Sequence, residues 1–329
     1  MEASHNLTES SAPPQVTASK TLPAENKGGF RSRPIAFLIF AIVLTAVFGR
    51  ALYSLFGNAL GNDPNSDLNS YIVLIPFVSL YLLYIDRTRL PRSYQSDFGW
   101  AALLFVPGAA ALIFLLAGFH QAAALSGNDR LSIITFAFVA LLWAGGFTFL
   151  GRKWMAAAAF PMFFLIFLVP LPDRVVYWME LGLKMLSADA ASLFFALTGT
   201  PVLRTGQIFQ LPGITIEVAQ ECSGIRSSWI LLITSLVAAH LFLTRRWSKL
   251  VLISAVIPLG ILRNGFRIMV IGLLCVHVDP SMIHSVIHRR GGPIFFALSL
   301  IPLLLLMWFL RKREVVAGNL TASTSAEGE

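Results

Sequence analysis

Ala219-Gln220-Glu221-Cys222-Ser223-Gly224-Ile225-Arg226-Ser227-Ser228 leads without a break into an apolar run that lasts to Leu243 and stops at Arg245-Arg246-Trp247-Ser248-Lys249. That run is about as long as a helix needs to be to cross the hydrocarbon core of a bilayer, and its basic stop is how orientation in a membrane is encoded. The same pattern recurs along the chain. Hydrophobic residues make up 56% of the 329 and charged residues only 13%. Mean hydropathy is +0.72, which excludes an ordinary soluble domain.

Eight such runs are expected to span: about Pro34–Phe56, Tyr71–Tyr84, Trp100–Phe119, Leu131–Leu150, Met155–Leu171, Ile225–Leu243, Leu250–Leu274 and Pro293–Leu310. Residues 1–33 are rich in Ser, Thr, Pro and Ala and lack the apolar core of a cleavable signal peptide. They read as a disordered tail, as do residues 315–329, leaving a transmembrane domain over 34–314. An even number of spans puts both tails on one side. Of the 25 Lys and Arg, fifteen fall on that side, seven on the other and three (Arg50, Arg263 and Arg267) within spans. The bias assigns the tails to the cytoplasm and Cys222 to the exoplasmic face. Basic residues in short clusters between apolar runs, with no accompanying motif, also exclude nucleic-acid binding.

The longest segment between spans is Asp173–Gly224. Its first half, Arg174–Leu197, mixes Trp178, Leu181, Met185, Leu193 and Phe194 with charged residues, as expected of one or two amphipathic helices lying in the interface. Its second half carries the turn signal Pro212-Gly213 and the alternation Ile214, Ile216, Val218 against Thr215, Glu217, Ala219. That pattern predicts a small β-hairpin delivering Cys222 to the mouth of the following span. The expected fold class is therefore an all-α polytopic membrane protein with a small exoplasmic hairpin.

Chemistry-bearing residues concentrate in three places. Cys222 sits between polar and small neighbours. Arg263-Asn264-Gly265-Phe266-Arg267 places two arginines one helical turn apart inside a span. An arginine there costs roughly 2.5–3.5 kcal/mol on insertion scales, which makes a functional role the default and a pairing with a carboxylate the structural alternative. Arg267 lies nearer the helix end, within reach of the surface by snorkelling, and Arg263, a turn deeper, reads as the more structural of the two. Cys275, His277, Asp279, His284, His288, Arg289 and Arg290 follow. A thiolate is the reactive form of cysteine, and Cys, His and Arg converging from three segments make an activated nucleophile with a cation for the developing oxyanion.

Other readings stay open on the residues alone. His284 and His288 have the i, i+4 spacing of a zinc pair but lack the Glu that follows the first His of a metalloprotease helix. Ser223 lacks both glycines of a nucleophile elbow. Cys275 is a possible disulfide partner for Cys222. Arg263 and Arg267 would also suit a non-enzymatic carrier of an anionic substrate.

Glu221-Cys-Ser-Gly-Ile225, Asn264-Gly-Phe-Arg267 and His288-Arg-Arg-Gly-Gly292, in that order, resemble the signature of the exosortase/archaeosortase family, which runs Cys-Ser/Thr-Gly, Asn-x-x-Arg and His-x-x-x-Gly. The resemblance covers about residues 170–296, and a His in the third motif fits the bacterial exosortase branch. It implies Cys222 as nucleophile, Arg267 as the residue stabilising thiolate or transition state, and His288 as acid/base, with His284 as its backup. It further implies a transpeptidase-like cysteine protease of a prokaryotic cell inner membrane. Its partners would be membrane lipid and exported proteins bearing a C-terminal sorting signal (PEP-CTERM-like): a short Pro-Glu-Pro-type motif, one membrane helix and a basic tail. Arg226, Arg289 and Arg290, with Arg263, are the candidates for binding the motif's carboxylate or lipid phosphates. No cofactor or metal is expected.

Overall fold

In hydrocarbon a backbone N–H or C=O finds no water, so an isolated apolar run satisfies itself only as a helix. The computed structural model follows that rule almost throughout. It describes residues 29–61, 69–117, 124–217, 224–279, 281–282 and 292–326. Their elements are α1 (Gly29–Val47), α2 (Gly49–Leu60), a 3-10 turn at Ser70–Leu74 running into α3 (Ile75–Ile85), α4 (Phe98–Leu116), α5 (Gly127–Phe149), α6 (Arg152–Ala157), α7 (Ala159–Phe164), α8 (Asp173–Leu197), strands β1 (Leu203–Thr205), β2 (Ile208–Leu211) and β3 (Ile214–Glu217), α9 (Ile225–Phe242), α10 (Arg246–Ser254), α11 (Val256–His277) and α12 (Gly292–Ala326). The fold is all-α and polytopic, with one small sheet.

Among the described residues, six helical stretches are long and apolar enough to cross a membrane: Ser70–Arg89, Phe98–Leu116, Gly127–Phe149, Ile225–Phe242, Arg246–His277 and Gly292–Ala317. Two bent pairs raise the number to eight if each is one span. These pairs are where the sequence expectation of eight straight runs needs amending. The first run is broken between Val47 and Gly49, bending α1 against α2 by 69°. The fifth is divided into α6, α7 and a 3-10 turn at Leu165–Leu168, and the helix pair around Pro170-Leu171-Pro172 bends by 93°. A broken helix frees carbonyls, and neighbouring side chains take them up. Ser79 Oγ donates to the carbonyl of Pro161 at 2.8 Å and Trp143 Nε1 to that of Met162 at 2.9 Å.

The segment expected to hold one or two interfacial helices forms a single helix, α8. Val175, Tyr177, Trp178, Met185 and Leu193 are exposed on it, while Ser187, Ala188, Ala190, Ala191 and Phe195 are buried. The buried face lies against α11, at a distance only glycine permits. A Cβ on Gly265 would stand 2.6 Å from Ala190 Cβ and 2.9 Å from the Ala191 nitrogen, and one on Gly272 would stand 2.6 Å from Phe195 Cζ. Apolar lipid provides no hydrophobic drive for helices to associate, so close van der Waals approach through small residues takes its place.

The predicted hairpin is present as β2–β3, with Gly213 at φ 83° in its turn, and β1 extends it to a three-stranded antiparallel sheet. Phe209, Leu211 and Ile216 pack with Phe195, Ile268, Ile271 and Cys275, and Arg204 fastens the sheet to α8 through Asp189 at 2.6 Å. The final helix continues to Ala326. Helix propagation adds one bond per residue fixed once a long helix exists.

Polar contacts define the two ends of the bundle. At one end Asp86 meets His240, whose ring stacks on Phe160 with centroids 4.0 Å apart. Arg33 donates to Tyr94 O, and Glu314 accepts the backbone N–H groups of Thr244 and Arg245. The basic turns gather there. At the other end Arg226 reaches Ser70 Oγ at 3.5 Å and Asn128 reaches Leu171 O and Asp173.

The glycine contact between α8 and α11 makes a prediction. Gly265→Val should destabilise the protein by about 1–3 kcal/mol or more through overpacking. Gly182→Ala, on the same α8 with nothing within 4 Å of the new methyl, should be neutral or stabilising by up to about 1 kcal/mol. Thermal unfolding in detergent separates them, and equal shifts in Tm would contradict the close packing.

Candidate functional site

The two arginines of the intramembrane motif project from the middle of α11, where α9 begins beside it. The contact is set by small residues: a Cβ on Gly260 would lie 2.7 Å from Ser228 Oγ. Gly224 immediately precedes α9 and holds φ 69°, ψ 6°, a left-handed conformation that costs other L-residues about 1–2 kcal/mol. A side chain there would also crowd its neighbours. A Cβ there would be 3.0 Å from Arg263 Nη2 and 3.1 Å from Asn264 Cγ. The glycine of the Cys-Ser-Gly motif is thus favoured twice, once by its backbone and once by the side chains of the Asn-x-x-Arg region close beside it.

Arg263 is 8% exposed and Asn264 2%. Arg263 Nη2 donates to the Gly224 carbonyl at 3.2 Å and to Ser228 Oγ at 3.3 Å. Ser227 Oγ and the Ser228 N–H also donate to the Gly224 carbonyl, at 3.1 Å and 3.0 Å. Hydrogen bonds from a charged donor contribute about 1.5–3 kcal/mol each, against the roughly 2.5–3.5 kcal/mol that insertion scales assign to an intramembrane arginine, while Arg263 Nη1 is buried without a hydrogen-bond partner among the described residues. The carboxylate weighed as its partner is thus replaced by a backbone carbonyl and a hydroxyl. Ser228 was not among the residues singled out from sequence; the available signal was its position one helical turn after Gly224.

Arg267 is half-buried, one turn and about 6 Å further along α11, beside Ile268, which packs under the sheet. Arg226 is exposed in the first turn of α9. Cys275 is buried among Phe195, Phe209 and Ile271. Beyond α11 the Asp279 carboxylate accepts the Ser281 N–H at 2.6 Å, and hydrogen bonds from the Ser281 side chain and backbone hold it below the usual carboxylate range. A cavity of about 190 Å³ opens beside Arg263, walled by Phe194, Leu259, Leu262, Phe266 and Leu298. Cys222, Ser223, His284, His288, Arg289 and Arg290 lie outside the described residues, as does the Cys222 half of the disulfide considered for Cys275. Among the described residues no three His, Cys, Asp or Glu side chains converge as a metal ion requires.

Chemically, this arrangement holds the chain that emerges from residue 223 at a fixed backbone position, beside a helix carrying a second guanidinium one turn away. Gly224→Ala should cost more stability than Gly199→Ala. Both glycines have φ 69°, but only Gly224 has neighbours within 4 Å. The excess is expected at about 1–3 kcal/mol, read as a larger drop in Tm; matching losses would mean that Arg263 and Asn264 yield freely.

Comparison with known proteins supplies the family. The family model described as transmembrane exosortase matches residues 63–305, well over half of the chain. No curated protein and no solved structure matches it significantly. The matched region runs from before the 3-10 turn at Ser70–Leu74 into α12 and includes α9, α11 and the intervening contacts of Gly224, and on that extent the chain belongs to the transmembrane exosortase family.

Proposed function

We propose that this chain is a cysteine-dependent membrane peptidase and transpeptidase that cleaves the C-terminal sorting signal of exported proteins through a thioester on Cys222. Family membership supports a membrane protein of the sorting-transpeptidase class. The observation that carries the finer reading is the grip of Arg263 on the Gly224 carbonyl. It ties the segment two residues after Cys222 to the helix that bears Arg267.

In the proposed reaction the Cys222 thiolate attacks the carbonyl carbon of the scissile peptide, and the carbonyl electron pair moves onto oxygen. Arg267 donates to that oxyanion, where a preorganised donor is worth most. As the tetrahedral intermediate collapses, the C–N bond breaks, and imidazolium His288 (or His284) gives its proton to the departing amine. The product is a thioester. An incoming amine or water then loses a proton to the imidazole, attacks the thioester carbon and releases the thiolate. Arg226, Arg289 and Arg290 would hold the acidic residue of the motif or lipid phosphates.

The membrane assignment follows from the distribution of charge. With fifteen basic residues on the side of both tails, the charge bias supports cytoplasmic tails and an exoplasmic Cys222, and the resemblance to bacterial exosortases implies the inner membrane of a prokaryote. A substrate with one membrane helix and a basic tail would insert in the same sense and bring its motif to that face.

Co-expression with a protein ending in a Pro-Glu-Pro-type motif, membrane helix and basic tail, followed by intact-mass measurement of its C-terminus, tests the reading. Wild type should truncate it; Cys222→Ala should abolish truncation; Arg267→Lys should slow it by about 10²–10³, as the loss of an oxyanion donor does. Persistent processing by Cys222→Ala would sink the cysteine mechanism, and loss of processing on chelation would point to zinc at His284 and His288.

A further inference from the structure

Away from Gly224, the break between α1 and α2 opens a cleft of about 710 Å³, within the size range of small-molecule sites. Among the described residues its apolar wall includes Val47 and Phe48 at the break, Leu112 and Leu115 of α4, and Leu131 and Ile134 of α5. Its polar wall is a single stripe. Arg50, Ser54 and Asn58 recur every four residues along α2, on one face of the helix, while Leu52, Leu55 and Ala59 are buried on the other. Arg130 from the first turn of α5 also lines the cleft.

Two guanidinium-bearing residues therefore line one cleft, together with a hydroxyl and an amide, on a chain otherwise poor in charge. Among the described residues Arg50 has no carboxylate partner. Gly127, at the start of the 23-residue α5, lines it too, in a turn capped by Ser126 and carrying Asp129, whose carboxylate accepts the Asp173 N–H. Charge of one sign beside aliphatic walls calls for an amphiphile with an anionic head, and arginine matches phosphate oxygens bidentately.

We propose that this cleft is a binding site for one anionic phospholipid, its phosphate between Arg50 and Arg130, its polar head against Ser54 and Asn58, and its acyl chains along Leu112, Leu115 and Ile134. The site involves none of Cys222, Arg267 or His288, so it stands or falls apart from the proposed reaction. The bend between α1 and α2 acquires a purpose: a straight helix would close the angle in which the lipid sits.

Native mass spectrometry of the full chain released from detergent tests the assignment, with phosphatidylglycerol, phosphatidylcholine and millimolar inorganic phosphate as probes. Wild type and Cys222→Ala should each retain one phosphatidylglycerol, preferred over phosphatidylcholine by at least about tenfold. The double variant Arg50→Gln/Arg130→Gln should lose that preference, and Ser54→Phe should lose the bound lipid by filling the cleft with both arginines intact. Lys312→Gln, near the opposite end, should behave as wild type. Where the double variant does not fold, as judged by size exclusion, Ser54→Phe alone decides. Retention of phosphatidylglycerol by Ser54→Phe, equal retention of phosphatidylcholine by wild type, or displacement of the lipid by inorganic phosphate would each overturn the proposal, the last in favour of a site for the free ion.

Discussion

A guanidinium inside a membrane helix has to be solvated by protein, and here one nitrogen of Arg263, Nη2, is solvated by the carbonyl of Gly224 and the hydroxyl of Ser228. The rest of the site geometry depends on that necessity. Because the arginine is costly to leave unmatched, the start of α9 is held against α11. Because it is held there, Gly224 takes a left-handed backbone with Arg263 and Asn264 close to where a side chain would stand. The same interaction that makes the arginine tolerable fixes the chain next to the cysteine motif.

The close approach is shared among three helices. Gly260 admits Ser228 from α9, while Gly265 and Gly272 admit Ala190 and Phe195 from α8. One helix, α11, thus receives neighbours on two faces at backbone distance. The sheet then packs over its C-terminal half through Phe209 and Ile216. Van der Waals contact of this kind is the main attractive force left when every surface is apolar, and it holds Arg263 in a rigid setting.

At the other end of the bundle polar pairs do comparable work. Asp86, 5% exposed, is matched by His240, itself stacked on Phe160. Glu314 caps the start of α10 by accepting from two backbone N–H groups and the Thr244 hydroxyl. These contacts join α3, α7 and α9 to one another and α10 to α12. Glu314 thereby satisfies N–H groups at the start of a helix that have no partner within it.

Much of this molecule was legible in its residues. The apolar runs specified membrane helices because length and hydropathy alone set that outcome, and Pro212-Gly213 with its alternating neighbours specified β2–β3. The order of the Cys-Ser-Gly, Asn-x-x-Arg and His motifs indicated the family. The breaks at Gly49 and between α6 and α7 were not legible, because a broken helix persists only where neighbours such as Ser79 and Trp143 satisfy it, and hydropathy is blind to neighbours. Nor was the lodging of α8 against α11, since Gly265, Gly272 and Ala190 carry no signal until two backbones meet. Residue type could therefore determine that Arg263 needed a partner, but only tertiary packing decided that the partner would be the carbonyl of Gly224, because that choice depends on which helices approach closely enough to exclude every other acceptor.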